Sequence, residues 1–400
     1  MGRIRNKHMN SPPEETAMVL SGGGAYGAFA IGVMKTLFAG RSPATAYEPL
    51  AAEILTGTSV GSFNAAMMAA PMGEDNLTAA LRLENAWLEL VADRPGRCGN
   101  GVFRLRGNPA DLIDANCLRE PATVTSRIAS DTFTIGAYLL ERSANFLASS
   151  APLEDRAMAL VNIGSFIDNA PFHDLLRTLI NEDAIRQSPR RLKISVTNWI
   201  TGKAQYFCNS DFDHGRGISA IMASAAIPGV FPPVRIGRDM YVDGGLVENT
   251  PLNPAIEMGA TSIHVIYLDP NPSVVRLQGE PYTIDTMMRV YEIMLAAKIS
   301  EDVETASWIN AGLNAISAHQ QGQTISDAKL RDFLRIAGQF LKTSQTQYKR
   351  LVIHRYFPAA ALGGDLGMMN FGIDAIVRMI AEGERVALLH DCKESGCLTN

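Results

Sequence analysis

Five cysteines in 400 residues, with no Cys-x-x-Cys pair among them, are too few for a disulfide scaffold. The odd number leaves at least one thiol unpaired, which fits a reducing compartment, so the cytoplasm is the expected location. No stretch reaches the ~18 uncharged apolar residues of a spanning helix. The most apolar segment, Ile218 to Phe231, is interrupted by Pro228. Positive charge is not in excess either: 36 Lys and Arg stand against 41 Asp and Glu, a net charge of −5. Without a basic field, a polyanion has few counterions to release on binding, and nucleic acid is not an expected partner. Zinc-type spacings of Cys, His and Glu are missing too, so neither a metal nor a cofactor is expected.

What is present suits a globular enzyme. The chain is 46% hydrophobic and 19% charged, enough to bury one large core or two modest ones. The opening stretch carries Arg3, Arg5 and Lys7 with no apolar run behind them, unlike a secretory leader. Gly2 invites myristoylation, but Asn6 stands where Ser or Thr is wanted. Residues 1–15 are therefore expected as a flexible tail, 16–390 as one α/β domain and 391–400 as a second tail.

The domain opens with two βα units. Ala17-Met18-Val19-Leu20 is a short apolar run closed by glycines and followed by a helix-length stretch from Ala25 to Phe38. Ile54-Leu55-Thr56 then leads through Gly57 into an Ala/Met-rich helix, Val60 to Ala70, stopped by Pro71. Residues 85–181 lose this rhythm and are expected as a helical insertion, with Asp131 to Ala148 as its clearest helix. Leu192 to Thr197 and Ala204 to Cys208, separated by Thr201-Gly202, predict a hairpin. Met240-Tyr241-Val242 is a strand running into Asp243. Ile263 to Leu268, a continuous apolar run, predicts a strand buried on both faces of a parallel sheet. A helical segment is expected over 284–348, then a last strand, Leu351 to Tyr356, and a helix from Ile373 to Leu389 carrying Gly383.

Three glycine-flanked turns carry the candidate chemistry. In Gly57-Thr58-Ser59-Val60-Gly61 a serine sits where a strand turns sharply into a helix, which forces the central residue into strained angles and leaves no room for side chains two positions away. Such a serine is either a nucleophile at a helix N-terminus or an ordinary N-cap. Ser21-Gly22-Gly23-Gly24-Ala25-Tyr26-Gly27 also joins strand to helix, and its open amides can cradle an anion. The anion is either the oxyanion of an acyl intermediate, held by Gly22, Gly23 and Gly24, or a dinucleotide pyrophosphate, since Gly22, Gly24 and Gly27 spell G-x-G-x-x-G. A dinucleotide site wants a carboxylate about 20 residues further on, where Arg41-Ser42-Pro43 stands instead. Asp243, ending a strand and backed by Gly244 and Gly245, is a candidate base or a simple Asp-Gly turn. Gathering of strand carboxyl ends on one sheet edge would bring all three turns together. Among the seven histidines only His214, in a turn, is placed to reach such a site.

These motifs, in this order, resemble the patatin-like phospholipase family: a glycine-rich loop, a Gly-x-Ser-x-Gly elbow and an Asp-Gly-Gly. Ala223-Ser224-Ala225-Ala226-Ile227-Pro228-Gly229-Val230-Phe231-Pro232-Pro233, and then Tyr241 through Asn249-Thr250-Pro251, also look like the family's approach to its aspartate. The resemblance implies a three-layer αβα fold with a mostly parallel central sheet and a helical insertion. It also implies a lipid acyl hydrolase in which Ser59 and Asp243 form a dyad without histidine, the substrate being a lipid or acyl ester met at a membrane surface. Tyr26 departs from the basic residue usual in the family, and Ser21 from its frequent aspartate. The competing expectations are a silent interaction module of the same fold and a dinucleotide-dependent oxidoreductase.

Overall fold

The computed structural model describes residues 15–70, 73–93, 102, 104–105, 121–148, 167–268, 289–291, 293–295, 306–307, 310–312 and 350–399. Most of the expected helical segment over 284–348 and much of the 85–181 region lie outside these residues; the described parts of the former, such as 289–291 and 293–295, are helical.

Strands β1 (Thr16–Leu20) and β2 (Ile54–Thr58) pair in parallel, each feeding a helix: α1 (Gly27–Phe38), after a short 3-10 turn at Gly24–Tyr26, and α2 (Val60–Ala69). A two-residue ladder, β3 (Arg104–Leu105) with β4 (Ile167–Asp168), stands apart from the main sheet. Then come the hairpin β5 (Arg191–Asn198) and β6 (Ala204–Cys208), β7 (Val234–Ile236), β8 (Asp239–Asp243), β9 (Ser262–Ile266) and β10 (Val352–Tyr356). The main sheet has eight strands in the order β10-β9-β1-β2-β5-β8-β7, with β6 also on β5. From β10 to β5 every pairing is parallel; β6, β7 and β8 add antiparallel pairings at the far end.

Strand β1 shows why the parallel part is built from apolar runs rather than alternating ones. Met18 and Leu20 enter one core with α1 and α2, while Ala17 and Val19 enter another with Ile263, Val265 and the helix Leu252–Glu257. Both faces are covered, so each residue has to be apolar. This is the three-layer α/β arrangement: a mixed, mostly parallel sheet between flanking helices. On one side α1 packs against α3 (Asn76–Ala86) and the last helix, Ile373–Leu388. Lys35 of α1 bridges Glu84 and Glu384 of those two helices at 2.6 Å each.

The hairpin, β8, β9, β10 and the last helix fall where the sequence expects them. So does the helix of the 85–181 region, which spans Pro121–Ala148 and contains the expected Asp131 to Ala148. Residues 391–399, expected as a tail, fold back on β10: Ile353 and Leu398 exchange both backbone hydrogen bonds at 2.9 Å.

Candidate active site

The elbow is built as its glycines require. Ser59 has φ 53° and ψ −125°, a strained backbone, at the N-terminus of α2. A Cβ on Gly57 would stand 2.2 Å from the Gly61 carbonyl oxygen, and one on Gly61 2.2 Å from that of Leu20, so only glycine closes the turn. The Ser59 amide donates to Ser224 Oγ (2.8 Å), and Ser224 Oγ donates in turn to the Ser195 carbonyl (2.6 Å). One buried hydroxyl thus ties the elbow to β5.

Asp243 arrives beside this serine by a route different from the expected one. Val196 and Thr197 of β5 pair with both β6 and β8, so those two strands occupy opposite edges of β5. Lys193 to Ser195 pair with both β6 and β2, so β2 lies on the edge that β8 occupies. Thr58 stands opposite Ser195 and Asp243 opposite Val196. β2 and the antiparallel β8 therefore meet end to end along one edge of β5, and their last residues face each other. The parallel-sheet rule of carboxyl ends gathering on one edge does not apply to β8. The close fit continues at Gly244, where a Cβ would stand 2.4 Å from the Ser195 carbonyl oxygen.

Asp243 is fully buried. Its Oδ1 accepts the Gly245 amide at 2.7 Å, while Oδ2 is buried without a hydrogen-bond partner among the described residues. Burial pushes the carboxyl up to about 7, against the Gly245 amide and the Tyr291 and Ser59 hydroxyls, which favour the charged form. Ser59 is thus near enough to act on the carboxylate, without an aligned bond to Oδ2.

The glycine loop faces the same point. A Cβ on Gly22 would stand 2.9 Å from Ser59 Cβ, so the loop backbone lies against the serine. The Gly22 amide, however, already donates to Asn249, at 3.1 Å to Oδ1 and 3.3 Å to the carbonyl. Among the described residues the amides of Gly23 and Gly24 have no protein acceptor, and they are the open donors. Further bonds lace the stretch after Asp243 to both strand ends. Ser21 Oγ meets Thr250 Oγ1 at 2.8 Å, Thr56 Oγ1 donates to the Pro251 carbonyl and Thr58 Oγ1 to that of Glu248. Sequence reasoning missed Ser224, Asn249 and Tyr291 as partners of the site. Ser224 and Asn249 stood inside the stretches that carry the resemblance, whereas Tyr291 lies outside every motif of the sequence.

Ser59 opens into an apolar cavity lined by Gly24, Phe63, Trp87, Phe172, Phe231 and Phe371. Among the described residues no histidine lines it. The His214 side chain is 93% exposed, beside Asp213 on the surface. His173 is half exposed, and His264, His354 and His390 cluster around β10. His8 and His319 lie outside the described residues.

A family model for patatin-like phospholipases matches residues 18–256, more than half of the chain. The chain belongs to the patatin-like phospholipase family. An uncharacterized NTE family protein of Mycobacterium tuberculosis is 29% identical over 219 residues, 52% of this patatin-like chain and 35% of that protein. The chain therefore corresponds to about a third of the length of that relative. A cGAMP-activated phospholipase of Pseudomonas aeruginosa is 30% identical over 90 residues, 21% of this chain and 27% of that protein. Among solved structures, VipD from Legionella pneumophila aligns at a TM-score of 0.33 and 14% identity, covering 96% of this chain and 71% of VipD. The pyrophosphate reading of the patatin-like glycine loop gains nothing from the fold: β2, its neighbour, ends at Thr58 and runs into Ser59 rather than a carboxylate.

Proposed function

We propose that the protein is a serine acyl hydrolase acting on lipid esters, with Ser59 as nucleophile, Asp243 as base and the Gly23 and Gly24 amides as oxyanion donors. The observation that carries this reading is the meeting of a strained serine and a fully buried carboxyl beside an apolar cavity with no histidine among its described lining residues.

Asp243 takes the Ser59 proton as Oγ attacks the ester carbonyl; the carbonyl oxygen becomes an oxyanion facing the glycine amides and the N-terminus of α2. Collapse expels the alcohol, which receives the proton from Asp243, and leaves an acyl-enzyme. Water, deprotonated by the same carboxylate, then releases the fatty acid and restores the serine. Each open amide is worth about 3 kcal/mol in the transition state where such donors have been removed. A carboxylate of ordinary pKa would be a poor base for this work, and burial to about 7 matches it to neutral pH.

Membership in a family of phospholipases and the apolar lining of the cavity support a fatty-acyl substrate. Phe133 and Leu140, 79% and 75% exposed on the helix Pro121–Ala148, offer apolar surface for meeting a lipid aggregate. The test is hydrolysis of a chromogenic fatty-acyl ester by the purified chain. Ser59→Ala and Asp243→Ala should each abolish it in folded protein, and full activity in either variant would overturn the assignment.

A further inference from the structure

At the opposite end of the sheet from Asp243, four side chains converge that the hydrolase does not use. β10 is the edge strand there and contributes His354; the chain leaving the last helix contributes His390, Cys392 and Cys397. One ligating atom from each lies within 4.8 Å of all the others. Cys392 Sγ is 3.4 Å from His354 Nδ1 and 3.5 Å from His390 Nε2, and Cys397 Sγ is 3.4 Å from His390 Nε2.

These separations are those of a coordination shell. With Zn–S near 2.3 Å and Zn–N near 2.0–2.1 Å at tetrahedral angles, sulfur and nitrogen ligands of one zinc stand about 3.5 Å apart. Two thiols and two imidazoles are also a donor set that favours zinc over calcium or magnesium. We propose that His354, His390, Cys392 and Cys397 bind one zinc ion that staples the residues after the last helix to the edge of the sheet.

The surroundings fit a closed structural site. The Arg355 amide donates to Cys397 Sγ at 3.3 Å, a contact that stabilises a thiolate. His354 stacks on the buried His264 and His390 packs tilted against Tyr356, with ring centroids 4.8 and 4.6 Å apart, which restrains both imidazoles. His264 Nδ1 in turn bonds Tyr356 Oη at 2.9 Å. The ligands flank the Ile353–Leu398 backbone pair, so the ion would lock a short strand addition that covers the exposed edge of β10. His390 Nδ1 departs from that fit, being buried without a partner among the described residues. Four protein ligands leave no open position for substrate, hence a structural rather than catalytic ion. Each thiol releases its proton to solvent as its Zn–S bond forms. The expectation of no metal rested on local spacing, whereas His354 comes from a strand 36 residues before His390.

The test is metal analysis of the full chain purified under reducing conditions without chelator, and again after chelation and incubation with zinc chloride. One zinc per chain is expected, falling to none in Cys392→Ser/Cys397→Ser, with Ser59→Ala retaining the full equivalent. Should the double variant fail to fold, cobalt substituted into the unmodified chain should show the intense visible bands and thiolate charge transfer of a tetrahedral site. Absence of stoichiometric zinc after reconstitution, octahedral cobalt spectra, or a Cys392–Cys397 disulfide persisting under reduction would overturn the proposal.

Discussion

Replacing Asp243 by Asn should make the protein more stable at pH 8 than the unmodified chain, although it removes the proposed base. The carboxyl is fully buried, and desolvation raises it from 3.8 to about 7. A group whose pKa is higher in the folded state binds its proton more tightly there, so its contribution to stability is present at low pH and is lost as pH rises through 7. Taking 3.8 for the unfolded chain, the contribution changes by about 1.4 kcal/mol per unit while only the unfolded state is ionised, and it flattens above pH 7. Between pH 5 and 8 this amounts to roughly 2 to 3 kcal/mol. Asn keeps an oxygen for the Gly245 amide and carries no charge, so it escapes that loss. Urea unfolding of both proteins at pH 5 and at pH 8 measures the difference directly, since the other titrating groups are shared. Parallel pH dependences would show that Asp243 ionises without penalty and would refute the reasoning about its burial.

Three further outcomes follow from the same geometry. Because the base must be ionised to accept the serine proton, kcat/KM should rise with pH through about 7 and level off above it, falling tenfold per unit on the acid side. Ser224→Ala leaves the Ser59 amide without its acceptor in the buried elbow; unfolding should become easier by about 1–3 kcal/mol, with kcat reduced more than KM is raised. His214→Ala should retain most of the activity, because the side chain is 93% exposed on the surface, and steady-state kinetics on the same ester would show it.

The parallel half of the fold was readable because its signals are local. The runs Ala17 to Leu20 and Ile263 to Leu268 are apolar at every position because each strand is covered on both faces, and glycines mark where the backbone passes itself at Gly57 and Gly61. The serine elbow was legible for a similar reason: a strained serine needs small neighbours, and that constraint is written within five positions. What brings Asp243 to Ser59 was not legible. β7 is a three-residue strand with no clear alternation, and the end-to-end meeting of β2 and β8 is a property of register on β5, to which residues more than 180 positions apart contribute. Nor could the loop sequence reveal that the Gly22 amide is taken by Asn249, 227 residues away. The histidines divide the same way. His214 drew attention because a turn is accessible, yet accessibility places it on the surface, while His354 and His390 meet only once the end of the chain returns to β10.

The dyad itself is tested most directly by reacting the folded chain with a fluorophosphonate and mapping the adduct by peptide mass spectrometry. The account predicts a single adduct on Ser59, absent in Ser59→Ala, formed at the unmodified rate in His214→Ala and slowed at least ~100-fold in Asp243→Asn. An unlabelled Ser59 in folded protein, or a His214→Ala chain as inert as Ser59→Ala, would contradict it.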